Sequence, residues 1–336
     1  MQYPIAVPVI QNPAGFDISI ESLEEFERGL DPLHPENSKV SCHILGYGEI
    51  STVFEIQTPN LHGLAFKRMC CFESADELVP YVEAYLEYTR IIEHEAGLRL
   101  PPYGYAMFIN HSGRPIFYII QKRLHPASIG SKALKWMEPQ EISLLFELVL
   151  QELQKIWQFN QAHADCQIGI DGQISNWAIE GFNAEQPELD EQSTLYYLDT
   201  STPFLRLQGV EQLNPELFLR SAPPYLVWVL RSLFLQDVME RYYDARQVVI
   251  DLLANFYKEQ REELIPDLVS AANSFYSRQG NGLAIEPVRE KEVSDYYRED
   301  RIIWSLYLSM RRFDRFVRGV LFEREYPYIL PGRIKR

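Results

Sequence analysis

Cysteine is scarce in this chain, basic residues are outnumbered, and long apolar runs are missing. Four cysteines stand in 336 residues. Cys42 and Cys166 are isolated, while Cys70 and Cys71 are neighbours, too close for ordinary disulfide or zinc-chelate geometry. A disulfide framework is thereby excluded, and thiols in a reducing compartment are expected. No stretch reaches the roughly 18 consecutive apolar residues of a membrane-crossing helix. The opening Met1–Ile10 has neither the basic start nor the apolar core of a secretion signal, so a cytoplasmic protein is expected. Lys and Arg number 32 against 47 Asp and Glu, a net charge of −15. That is the wrong sign for gripping a nucleic-acid backbone and disfavours an anionic membrane surface. Neither partner is expected, whereas a cationic small molecule is compatible with the charge. Most of the excess is read as solvated surface. Repeats at solenoid or propeller periods and low-complexity tracts are also lacking.

Apolar material is plentiful: 46% of residues are hydrophobic and 13% aromatic. A chain of this length can bury two domains or two joined lobes. Residues 43–56 read as two strands joined through a glycine turn, and Leu64–Met69 as a third strand. Residues 75–98 carry helix formers, stopped by Pro101-Pro102. Tyr105–Ile109 and Ile116–Ile120 flank a polar turn and read as a hairpin. Pro139 to Gln161 is a strong helix, with Ile142, Leu145, Phe146, Val149, Leu153, Ile156 and Trp157 on one face. A β-like stretch at 167–179, an acidic segment and a strand at Leu195–Leu198 follow. From Pro224 onward the pattern is helical, broken near Gly280-Asn281-Gly282 and Pro287. The expected class is α+β, with an N-terminal extension over 1–40, a β-rich unit over 41–122 and a helical unit over 123–336.

Four segments can carry chemistry. In Leu45-Gly46-Tyr47-Gly48-Glu49-Ile50-Ser51-Thr52-Val53, the glycines let a strand–turn–strand lie close over phosphates; a plain hairpin explains them equally well. Lys67 ends a short apolar strand, where an ammonium needs a carboxylate partner and an anionic ligand. Glu83 and Glu87 on the following helix offer the carboxylate, and a surface lysine is the plainer alternative. Asp171 and Asn176 sit five apart in Asp171-Gly172-Gln173-Ile174-Ser175-Asn176, although Asp-Gly between alternating isoleucines is also a hairpin signal. Asp199 follows an apolar strand directly, as a turn cap or as a metal-binding carboxylate.

In order and spacing these segments resemble the protein-kinase-like superfamily. There a G-x-G-x-x-[GS]-x-V loop precedes a strand Lys, a helix Glu, an Asp-x-x-x-x-Asn loop and a strand-end Asp. The resemblance covers about residues 41–204 and implies a two-lobed fold that binds ATP and Mg²⁺. It implies that Gly46, Tyr47, Gly48, Glu49, Ile50, Ser51 and Val53 cover the phosphates, and that Lys67, steadied by Glu87 or Glu83, holds them. Gln121 and Arg123 fall in the implied adenine hinge at 119–124. Asp171 would orient or deprotonate the acceptor, and Asn176 and Asp199 would hold Mg²⁺. The usual His-Arg before the catalytic Asp is Gly169-Ile170 here, Asp199 is followed by Thr-Ser, and an Ala-Pro-Glu segment is lacking. These departures look more like the aminoglycoside and choline type of small-molecule kinase than like protein kinases.

The function expected is phosphoryl transfer to a hydroxyl of a small molecule, for which an amine-bearing acceptor is one option. The alternatives are a nucleotide-binding pseudokinase and a divergent protein kinase. Arg311, Arg312, Arg315, Arg318 and Arg324, near Phe313, Phe316, Phe322 and Tyr326, read as an amphipathic helix with a basic face. A partner or phosphate site is the other reading of that cluster.

Overall fold

The computed structural model describes residues 8–48, 50–220, 227, 239–278, 283, 285–321 and 326–332. Glu49, Pro224, Gly280-Asn281-Gly282, Phe322 and Arg324 lie outside the described residues. The class is α+β, with a sheet-rich N-terminal part and a helical C-terminal part.

Six antiparallel strands form the main sheet in the order β1-β5-β6-β4-β3-β2. They are β1 (Val9–Gln11), β2 (Cys42–Tyr47), β3 (Ser51–Ile56), β4 (Leu64–Met69), β5 (Tyr103–Ile109) and β6 (Pro115–Lys122). The expected hairpin around Asn110 joins β5 to β6, with Ile109 opposite Pro115. Residues read as an N-terminal extension supply β1, which pairs with β5, and helix α1 (Ile20–Gly29). Ser19 caps α1 by accepting the Ser22 N–H, as a short hydroxyl side chain does at a helix start.

The period of two along β4 sends alternate side chains to opposite faces. Phe66 and Arg68 face α1, where Phe26 meets Phe54 edge-on with centroids 5.3 Å apart. Met69 faces helix α2 (Ala75–Arg90), whose Tyr81 and Tyr85 pack on Phe117 at 5.7 and 5.4 Å. The sheet is thus covered on both faces, which explains the burial of nearly all of β3 and β6.

Under α1 sits a buried ion pair. Arg68 donates to both carboxylate oxygens of Glu27, at 2.8 and 2.5 Å, and to the Pro327 carbonyl at 3.0 Å. Tyr118 donates its hydroxyl to Glu27 at 2.7 Å. Burial alone raises the Glu27 pKa, but the Arg68 charge and hydrogen bonds from Arg68, Tyr118 and Asn110 outweigh it and hold the carboxyl below its ordinary value. Glu27→Ala leaves a buried guanidinium without its counter-charge. A loss of about 3–5 kcal/mol is expected in urea unfolding, against less than about 0.5 kcal/mol for exposed Glu83→Ala.

Helix α3 (Pro139–Ala162) matches the sequence expectation closely. Pro139 occupies its first turn, and Glu138 and Glu141 cap it reciprocally. The apolar face named above is fully buried. It packs with α4 (Ala245–Lys258) through Phe146 and Phe256, 6.0 Å apart, and lies near α5 (Ile265–Arg278). Helix α6 (Glu290–Leu321) runs along α4, where Tyr257 and Tyr297 stack at 4.9 Å. Between α3 and α4 lie a sheet of β7 (Cys166–Ile168), β10 (Leu205–Leu207) and β11 (Val210–Glu211), and a pair formed by β8 (Trp177–Ile179) and β9 (Leu195–Tyr197). No helix among the described residues is long and apolar enough to cross a membrane.

Candidate functional site

Lys67 sits in the middle of the sheet, opposite Val53 on β3 and Ile119 on β6. Strand alternation directs it away from Arg68 and α1, and its ammonium donates to Asp199 Oδ1 at 2.7 Å across 132 residues of chain. Asp199 follows β9, and β9 is held against β8 with Trp177 opposite Tyr197. The Leu198 N–H donates to the Asn176 carbonyl at 2.8 Å, so the pairing brings Asp199 beside Asn176. The hydroxyl and N–H of Ser201 donate to the same Asp199 oxygen, at 2.7 and 3.1 Å. Burial opposes ionisation of Asp199, but Lys67 and Ser201 prevail and its pKa is lowered.

Residues 169–176 form a stapled loop, which settles the choice left open by the Asp-Gly signal. β7 pairs with β10 and β8 with β9, so tertiary pairing overrides the local hairpin preference. Gly169 N–H donates to the Phe204 carbonyl and Ile170 N–H to the Tyr242 carbonyl, both at 2.9 Å. The Tyr88 hydroxyl of α2 donates to the Gly169 carbonyl at 2.9 Å. Asp171 accepts the Gln173 N–H at 3.1 Å, and the Asn176 amide donates to the Asp171 carbonyl at 3.2 Å. A Cβ on Gly172 would stand 2.6 Å from Val248 Cγ1 and 3.3 Å from Leu153 Cδ1. Gly172→Ala is therefore expected to cost about 1–3 kcal/mol, read as a lowered unfolding midpoint.

Asp171 has an unusual environment. Burial pushes its pKa up to about 8, helped by the carboxylates of Asp251 and Asp199, while the Gln173 N–H and Lys258 act the other way. A carboxyl held between buried like charges keeps its proton, a frequent condition at sites of acid–base work.

These groups line one cleft of about 290 Å³, near the lower end of the range for small-molecule sites. Tyr47, Gly48, Ile50 and Ser51 contribute one wall, turned by the Gly48 N–H donating to the Ser51 carbonyl at 3.0 Å. Lys67, Asp171, Asn176 and Asp199 lie within it. Gly46 and Val53 sit opposite each other on β2 and β3 beside this wall.

The expected pairing of Lys67 with Glu83 or Glu87 is corrected. Helix α2 buries Leu78, Tyr81, Val82, Tyr85 and Tyr88, which turns Glu83 to solvent. Glu87 bonds Arg90 at 2.7 and 3.0 Å, and Asp199 takes the lysine instead. Gln121 and Arg123 do not line the cleft: Gln121 donates to the Leu198 carbonyl at 3.2 Å, and Arg123 pairs with buried Glu55.

The sequence reading missed Lys258, Asp300 and Trp304. Lys258 closes α4 and pairs with Asp300 of α6 at 3.2 Å. Asp300 and Trp304, one turn apart on α6, both line the cleft. Their spacing was visible, but nothing local tied α6 to a loop more than a hundred residues earlier. Among the described residues no group of three or more His, Cys, Asp or Glu has the geometry to hold a metal. Asn176 and Asp199 put side-chain oxygens into the cleft that Lys67 lines. One donor hydrogen of the Asn176 amide is spent on Asp171, and its oxygen is a hard acceptor of the kind Mg²⁺ prefers.

A solved structure of aminoglycoside 2'-phosphotransferase-IIIa, in complex with GDP, is similar to this chain at 11% identity and a TM-score of 0.31. The match covers 73% of this chain and 95% of that one. No curated protein sequence matches. Residues 35–315 match a family of unknown function, DUF6206. The match spans most of the chain, which therefore belongs to that family.

Proposed function

We propose that this chain has a protein-kinase-like fold and transfers a phosphoryl group from ATP to a hydroxyl of a small molecule. The ion pair between Lys67 and Asp199 carries the reading. It joins a central strand to a strand-end carboxylate at the cleft that also holds the glycine turn, Asp171 and Asn176. Phosphoryl transfer asks for this kind of wall: positioned cations, metal-holding oxygens and a group for the acceptor proton.

The ammonium of Lys67 has three N–H donors, and one is spent on Asp199, which leaves two for phosphate oxygens. Asp199 and Asn176 would hold Mg²⁺, which supplies charge neutralisation at the β- and γ-phosphates. The backbone of Tyr47, Gly48, Ile50 and Ser51 would cover the phosphates. Asp171 takes the acceptor proton as the new O–P bond forms, the bond from the γ-phosphorus to ADP breaks, and ADP leaves. Asp171 and Asp300 line the acceptor end with Trp304, and Asp251 adds its carboxylate nearby. Acidic and aromatic walls favour a cationic, amine-bearing acceptor.

ADP release from Mg·ATP, measured with a panel of hydroxylated amines and neutral polyols, tests the proposal. Acceptor-dependent release confined to the panel's amines is expected. A second reading, a nucleotide-binding module without transfer, is favoured by the backbone bonds that fill the Gly169-Ile170 segment in place of the usual His-Arg. Mg·ATP binding with no acceptor-dependent release would decide for it.

A further inference from the structure

Among the described residues, two cations line the cleft, Lys67 and Lys258. Lys67 meets Asp199; the fold gives Lys258 a different setting. It ends α4, on a polar stripe of that largely apolar helix. Asp251, Asn255 and Lys258 stand at steps of four and three residues and so share one face. Asn255 accepts the Ile174 N–H at 3.1 Å, which holds the stripe against the loop that carries Asp171 and Asn176. The charge of Lys258 is felt there: burial above all raises the Asp171 and Asp251 carboxyls, and Lys258 opposes the rise in both.

A lysine in the last turn of a helix ordinarily reaches into water and serves the helix dipole. The Lys258 side chain is instead 13% exposed and faces Asp300 at 3.2 Å. One of its three N–H donors serves that carboxylate, and two remain. The loop 171–176 has no cation of its own. At the acceptor end, where Asp171 and Asp300 stand, Lys258 is therefore the positive charge that lines the cleft.

We propose that Lys258 is a second catalytic cation, whose ammonium contacts the γ-phosphoryl oxygens as that group passes from ADP to the acceptor. The inference rests on the phosphotransferase reading. In that reaction the O–P bond to ADP breaks as the bond to the acceptor oxygen forms, and the acceptor proton goes to Asp171. The equatorial oxygens stay negative throughout, and they arrive where carboxylates already stand. Lys67 is held on the donor side by Asp199 and cannot follow the group. An ammonium fixed at the receiving end offsets the repulsion without reorganising, which favours the transition state over bound Mg·ATP.

Lys258→Gln and Lys258→Arg test it. Glutamine keeps a donor for Asp300 but no charge, so the tie between α4 and α6 is retained. Lys258→Gln should lower kcat for acceptor-dependent ADP release by about a hundredfold or more. Its Mg·ATP affinity should stay within about threefold of the parent, with an unchanged circular dichroism spectrum. Lys258→Arg should recover at least about a tenth of the parent rate. Fluoroaluminate gives a readout free of turnover, since with Mg·ADP it forms an anionic mimic of the group in transfer. It should tighten Mg·ADP binding to the parent by about tenfold or more, and Lys258→Gln should lack that gain. Turnover of Lys258→Gln within about threefold of the parent, or a loss of Mg·ATP affinity as large as the loss of rate, overturns this assignment alone. So does a loss in Lys258→Arg equal to that in Lys258→Gln, which would mark a packing role. A parent chain with neither acceptor-dependent release nor a fluoroaluminate gain removes the phosphotransferase reading, and this inference with it.

Discussion

Asp171→Asn should reduce acceptor-dependent ADP release by at least about a thousandfold, from loss of the proton acceptor and of acceptor orientation, while Mg·ATP affinity stays within about threefold. The asparagine keeps an oxygen for the Gln173 N–H and the same shape, so the loop that carries Asn176 stays in place. What it cannot do is accept a proton. In the parent chain the rate should rise with pH through a midpoint near 8, because Asp171 must lose a proton that its buried, acidic surroundings favour.

The same substitution should stabilise the fold. A carboxyl whose folded pKa is raised binds a proton in the folded state that the unfolded chain has already released. Folding therefore loses stability as pH climbs from about 4 to about 8. Asn removes that loss, so the variant should be more stable than the parent above pH 7, by up to about 4 kcal/mol, and almost unchanged at pH 4. Lower activity with a higher unfolding midpoint is the signature of a group retained for chemistry. Equal midpoints across that pH range, with full activity, would remove Asp171 from the mechanism.

Lys67→Met should weaken Mg·ATP binding by at least about a hundredfold, since the phosphates lose their one strand-borne cation. Its effect on stability has a separate origin. Asp199 is left partly buried with no counter-charge, at an expected cost of about 2–3 kcal/mol, somewhat below a fully buried pair. The Asp199 pKa is lowered in the folded chain, so the pair's contribution is present above about pH 4 and is lost as pH falls through the folded pKa. The Lys67→Met penalty should shrink in that acid range. Adding Asp199→Asn to Lys67→Met should restore most of the stability and none of the binding. A double-mutant cycle with no coupling between the two positions would contradict the ion pair as the centre of the cleft.

Much of the cleft was legible because its parts are short strands and turns with fixed spacing. Gly48 and Asp199 sit where a local pattern puts a backbone turn and a strand end, while Lys67, expected at the end of its strand, lies inside it. Helix phase decided the glutamates: once Leu78, Tyr81, Val82, Tyr85 and Tyr88 face the sheet, Glu83 and Glu87 fall outside the buried stripe. The Asp-Gly hairpin signal at 171–172 lost to longer-range pairing, since β7 and β8 each found another partner. Lys258, Asp300 and Trp304 were not legible, because they join the cleft only through the packing of α6 along α4. Likewise β1 and α1 looked like an extension until β5 and the Arg68 guanidinium gave them partners.

Calorimetric titration of the full chain with a non-hydrolysable ATP analogue, with and without Mg²⁺, probes the shared wall of Lys67, Asn176 and Asp199 most directly. Saturable one-to-one binding that requires Mg²⁺ and disappears in Asp199→Asn is the predicted result. No heat at millimolar analogue, or binding indifferent to both Mg²⁺ and Asp199, would show that these side chains meet for some purpose other than holding a triphosphate.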